Sequence, residues 1–193
     1  MKGFWSGKGS DIFESVERAF TMCDVMDYSL LYYDADGVGA DVRGNARILN
    51  EKRTHEIEVL PFHGSGKIVD PEGDPFARDD DSINRGSGRT NEDYFANRKA
   101  QSWWYLRTKF KNTYRAVVEG MEYNPNEIIS ISSKIPNLSA IMAELSQPTY
   151  GQNGIGKLLI NKTPEGGRSP NYADSIMIAF APQERATPGL LLW

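Results

Sequence analysis

The residues of this sequence best suited to chemistry are carboxylates set against apolar neighbours. Asp34 closes the run Tyr28-Ser29-Leu30-Leu31-Tyr32-Tyr33, and Asp36 follows in Asp34-Ala35-Asp36-Gly37. An apolar and aromatic run of that length, without strict alternation, reads as a strand covered on both faces. The C-terminal end of such a strand is where parallel α/β sheets place their ligand sites, so acids there could hold a cation. The same residues also suit a plain turn, because Asp and Gly are common turn residues. Asp174 stands just before Ile176, Met177, Ile178, Ala179 and Phe180, a stretch apolar all round. A carboxylate carried into those surroundings has to be paired, hydrogen-bonded or bound to metal. Near a helix start it can also serve the helix dipole.

Several weaker patterns are set aside. Gly7-Lys8, Gly66-Lys67 and Gly156-Lys157 lack the spacing of a phosphate-cradling loop, which excludes ATP binding by that route. His55 and His63 are too far apart for a helical zinc pair. Asp70, Glu72 and Asp74 begin like a calcium loop, but the later ligands and central glycine are out of place, leaving a solvated acidic loop. Trp103-Trp104 among Arg98, Lys99, Arg107 and Lys111 could stack on nucleic acid. Helical spacing instead puts Trp103 in the core and the basic residues on a solvated face.

The elements that must position these acids follow from periodicity. Ser10-Asp11 caps a helix over 11–26, with Ile12, Phe13, Val16, Ala19, Phe20 and Cys23 at helical spacing. The strand before Asp34, an amphipathic helix over 40–52 and a strand over 57–62 imply a parallel pair with a right-handed crossover. Residues 64–93, rich in Gly, Pro and Asp, form a long, mobile loop. From Asn91 to about Glu119 one long helix is expected, with Phe95, Trp103, Leu106, Phe110, Tyr114 and Val117 on its apolar stripe. A helix near 139–146 and a strand over 157–160 follow. Ser169-Pro170 then opens a last helix, as cap and first helical residue, running to Pro182, and 183–193 is a loosely ordered tail.

At 193 residues the chain is the size of one domain, and its apolar and charged fractions are ordinary for a globular protein. No apolar run approaches the roughly 20 residues that cross a bilayer, so no membrane association and a cytoplasmic location are expected. Cys23 is the only cysteine, which excludes an internal disulfide and a cysteine-based zinc site. The net charge of −4 means that any grip on DNA is local rather than a property of the overall field.

Four segments, in this order, resemble the nuclease domain of tailed-phage terminase large subunits. They are Trp5-Ser6-Gly7-Lys8-Gly9-Ser10-Asp11, Tyr33-Asp34-Ala35-Asp36-Gly37-Val38-Gly39-Ala40, Asn97-Arg98-Lys99-Ala100-Gln101-Ser102-Trp103-Trp104 and Ser169-Pro170-Asn171-Tyr172-Ala173-Asp174-Ser175. The resemblance implies a mixed α/β, ribonuclease H-like sheet flanked by helices, one nuclease-like domain over 1–182. It also implies metal-dependent cutting of concatemeric double-stranded DNA in the cytoplasm of a bacterial host, with the terminase small subunit and the portal protein as partners. By position Asp34 matches the family's second metal acid and Asp174 its last, with Asp36 as a neighbouring helper and Mg2+ or Mn2+ as the ions. Lys162 falls where such proteins carry a lysine, and its cation could contact the scissile phosphate.

The resemblance also implies a gap. In the family an aspartate-bearing strand precedes the tryptophan-serine-glycine segment, whereas here only Met1-Lys2-Gly3-Phe4 comes before Trp5. The expectation is a domain short of its leading strands and first metal acid, with little or no nuclease activity alone and with sheet edges open to self-association. Two alternatives stay in play. One is a catalytically dead remnant that binds DNA or packaging proteins, the other a related ribonuclease H-like junction nuclease.

Overall fold

The computed structural model describes residues 11–36, 39–77, 87–163, 167 and 169–183; the tryptophan-serine-glycine segment and most of the tail lie outside them. The chain forms two compact units.

The first unit comprises residues 1–65, 131–146 and 170–179. Helix α1 (Ile12–Met26) starts where the Asp11 side chain accepts from the Phe13 amide at 3.3 Å. Its stripe Val16, Phe20 and Cys23 is buried against Ala46 and Ile57, as the spacing requires. Strand β1 (Leu30–Asp34), helix α2 (Gly39–Asn50) and strand β2 (Glu58–Phe62) form the crossover unit. The strands pair in parallel, from Leu30 opposite Glu58 to Asp34 opposite Phe62. Asn50 sets the turn into β2 by bonding both backbone groups of Ile57, at 2.8 and 3.0 Å.

β1 is not covered on both faces as expected: its residues are half-buried or exposed, and Leu30 keeps 40% of its surface. Among the described residues this sheet is only two strands wide, so each strand is an edge. Helices α5 (Leu138–Ser146) and α6 (Asn171–Ala179) complete the unit; they pack on each other, and α6 also packs on β1.

The second unit comprises residues 66–130, 147–169 and 180–193. The long helix expected from Asn91 is broken into α3 (Asn91–Tyr94) and α4 (Arg98–Tyr114), the latter running on into a π-helical turn, Arg115–Glu119. The break has a clear cause. Phe95 is fully buried and bridges to Leu158, the Ala96 amide donates to the Leu158 carbonyl at 3.0 Å, and Asn97 caps the new helix by accepting from Ala100 at 2.9 Å.

The apolar stripe ends early as well. Tyr114 and Val117 are 59% and 79% exposed, while the polar Gln101, Ser102, Thr108 and Asn112 are buried. Gln101 brackets Val69, accepting from its amide at 2.9 Å and donating to its carbonyl at 2.7 Å. Beyond α5, a hairpin of β3 (Thr149–Gln152) and β4 (Leu158–Asn161) pairs antiparallel. Thr149-Tyr150-Gly151-Gln152 carries no apolar alternation, which is why β3 was not anticipated. Among the described residues no helix is long and apolar enough to cross a membrane.

Candidate functional site

Parallel pairing brings the C-terminal ends of β1 and β2 to the same edge of the sheet, and Asp34 is the last residue of β1. Its neighbour Ala35 extends the ladder by one bond, donating to the Phe62 carbonyl at 2.9 Å. The segment forms a turn. Asp34 Oδ1 accepts from the Asp36 amide at 3.1 Å, which shapes the turn, and the side chain remains exposed to solvent.

Asp36 faces the other strand end. Its carboxylate accepts from the Ser65 amide at 2.8 Å and from the Ser65 hydroxyl at 3.1 Å, with His63 Nδ1 at 3.6 Å. The segments that leave β1 and β2 are thereby tied together. His63 and Ser65 were not recognised from sequence, where His63 reads as a loop residue. Only the pairing of distant strands places them beside Asp36, and no local pattern carries that information.

Asp174 lies in the first turn of α6 and is half-buried. It is flanked by Ala173, fully buried, and followed by the buried Ile176, Met177 and Ile178. The Asp174 amide donates to the Pro170 carbonyl at 2.7 Å. Pro170 is therefore the residue before the helix rather than its first turn, and it has no side-chain acceptor to cap the free amides. A carboxylate from another helix takes that place. Glu144 Oε2, on α5, accepts from the amides of Tyr172 at 2.6 Å and Ala173 at 3.1 Å. Asp34 and Asp174 thus sit on elements that pack together, β1 and α6. Lys162 belongs to the second unit, directly after β4, where its carbonyl accepts from Gln147 Nε2 at 2.7 Å.

No family model and no curated protein matches the sequence. Solved structures do. The nuclease domain of the large terminase subunit gp2 of bacterial virus Sf6 superposes with a TM-score of 0.79 at 28% identity, over 94% of this chain and 77% of that one. Over nearly its whole length the chain is similar to the nuclease domain of a phage large terminase subunit. A lysine-to-alanine variant of the same Sf6 domain, solved with manganese, matches with a TM-score of 0.77 at 28% identity, over 94% of this chain and 79% of its own. Another, solved with calcium, matches with a TM-score of 0.77 at 28% identity, over 94% and 78%.

In a terminase-type nuclease domain the donor set can be judged against a divalent cation. Asp34 and Asp174 offer hard carboxylate oxygens, the chemistry that suits Mg2+ and Mn2+. Mg2+ in particular is commonly held by one or two carboxylates and keeps several waters. Among the described residues no three His, Cys, Asp or Glu side chains gather into a metal-binding group. Two carboxylates of this kind would suit an open and largely hydrated ion rather than a closed cage.

Proposed function

We propose that this terminase-type domain, residues 1–182, is of the metal-dependent endonuclease kind that cuts concatemeric double-stranded DNA during phage genome packaging in the bacterial cytoplasm, with a site too weak to cut well on its own. Asp34 and Asp174 are its metal-binding acids, Asp36 is a helper that holds the turn behind Asp34, and Lys162 is the cation that contacts the scissile phosphate. The observation that carries the reading is the match to the Sf6 nuclease domain over 94% of the chain, together with the packing of α6, the bearer of Asp174, on β1, the bearer of Asp34.

A bound Mg2+ or Mn2+ supplies an activated water and stabilisation of the leaving oxygen. The chain's own residues then have three tasks. Asp34, exposed at the sheet edge, presents its carboxylate to solvent, where DNA can approach. Asp174 presents a second from a first helical turn backed by buried aliphatic side chains, which limits its freedom to move. The ammonium of Lys162 neutralises phosphate charge. The small terminase subunit and the portal protein are the proposed partners in packaging.

The absence of a third ligating side chain among the described residues supports a weak site. The same observation favours the second reading, a DNA-binding remnant without cutting activity. Plasmid cleavage by the chain alone, with magnesium or manganese, tests both. Little or no cutting is expected, together with retention of duplex DNA that weakens as salt rises. Robust metal-dependent cutting, lost in Asp34→Asn and in Asp174→Asn, would contradict the weak site and the remnant reading. Cutting that survives both substitutions would remove these acids from the chemistry.

A further inference from the structure

The start of α6 is held from outside, and the holder stands next to the candidate metal acid. We propose that Glu144 is a positioning residue for Asp174: its carboxylate locks the first turn of α6 and so fixes the direction in which Asp174 presents its oxygens. This rests on the reading of Asp174 as a metal ligand.

The first amides of any helix lack intrahelical acceptors, and a short helix depends on outside partners for them. α6 has 9 residues and is preceded by Pro170, which cannot cap it through its side chain. Glu144 Oε2 supplies two of the missing bonds, to the amides of Tyr172 at 2.6 Å and Ala173 at 3.1 Å. Two donors converging on one oxygen fix the turn against both rotation and sliding. The next residue along the chain is Asp174, so its Cα–Cβ direction is set by the same anchor.

A second bond comes from the residue just before α5. Asn137, whose carbonyl accepts the Ile141 amide at the start of α5, donates from Nδ2 to the Tyr172 hydroxyl at 3.3 Å. Asn137 and Glu144 thus hold Tyr172 from the two ends of one segment, the residue before α5 and its last turns. Among the described residues Glu144 belongs to no three-residue metal-binding group. Its effect on the ion passes through Asp174.

The test combines amide hydrogen exchange at Tyr172 and Ala173, followed by NMR, with manganese titration by calorimetry, on the wild-type chain and on Glu144→Ala, Glu144→Gln and Asp174→Asn. A glutamine keeps an acceptor oxygen at the same reach and removes the charge. Positioning predicts that Glu144→Ala speeds exchange at both amides and weakens manganese binding by about 10- to 100-fold, the usual loss when a group supporting a metal ligand is removed. It predicts that Glu144→Gln keeps the amides protected and binds manganese nearer to wild type than to the alanine variant. Wild-type manganese affinity in Glu144→Ala would overturn the proposal. So would affinity in Glu144→Gln as low as in Glu144→Ala with the amides still protected, because charge and not position would then be the cause. Failure of the reading beneath it looks different: unchanged affinity in Asp174→Asn, or no binding by the wild type, removes Asp174 as a ligand, and the proposal falls with it.

Discussion

Asp34 combines two roles in one side chain, with Oδ1 accepting the Asp36 amide while the carboxylate stays exposed at the strand end. Asp36 turns to Ser65 and His63, and so holds the turn in place. A third acid of the first unit, Asp24, is tied to Arg53 by paired hydrogen bonds, and Arg53 also covers the Phe20 ring at 5.6 Å. The guanidinium hydrogen bond holds the Asp24 carboxyl below its usual range, and Asp24 in turn raises Arg53. A depressed acid stabilises the fold above the ordinary carboxylate range, and that stabilisation is lost as pH falls through the folded value. The pair is partly open to solvent, so its contribution is small. In acid titrations followed by circular dichroism, Asp24→Asn is expected to flatten the pH dependence at the acid end and to change neutral stability only slightly. Superimposable acid limbs for variant and wild type would take this ion pair out of the account.

Among the elements, α4 departs furthest from what its pattern suggests, since polar side chains occupy part of its buried face. Gln101 satisfies both backbone groups of Val69, so Gln101→Leu leaves a buried amide and a buried carbonyl without partners. Each orphaned group costs about 1–3 kcal/mol. Denaturant unfolding followed by the fluorescence of Trp103 and Trp104 is expected to show a loss of at least that size in the second unit. A change under about 0.5 kcal/mol, the ordinary range for surface positions, would mean that the bracket does not hold the loop.

The same helix marks the limit of what the sequence makes legible. The Val16, Phe20 and Cys23 stripe of α1 and the parallel β1–β2 pair follow from periodicity, because apolar burial writes itself into spacing. Gln101 and Asn112 look like solvent residues in any such pattern, since hydrogen-bonded burial leaves no periodic trace. β3 is invisible for a related reason: its residues are all exposed and its pairing is made by backbone. At the candidate site, Asp34 and Asp174 stand out through type and setting. Their supports, Ser65, His63 and Glu144, are contacts between distant segments, and nothing local announces them.

At the scale of the whole molecule, a net charge of −4 leaves no general attraction for DNA, so the duplex binding proposed for the domain would have to be local. Among the described residues the sheet of the first unit has two strands, and strand edges left unpaired seek partners. Concentration-dependent self-association is therefore expected in sedimentation equilibrium; a strict monomer at high concentration would remove it. The claim on which the account turns is that Asp34 and Asp174, on separate elements, serve one divalent ion. Manganese titration by calorimetry of the wild type, Asp34→Asn, Asp174→Asn and the double variant tests it most directly. Ligands of one shared ion give strongly non-additive losses, so each single variant should lose most of the binding and the double variant little more. Losses that add independently, or wild-type binding in either single variant, would contradict a shared site.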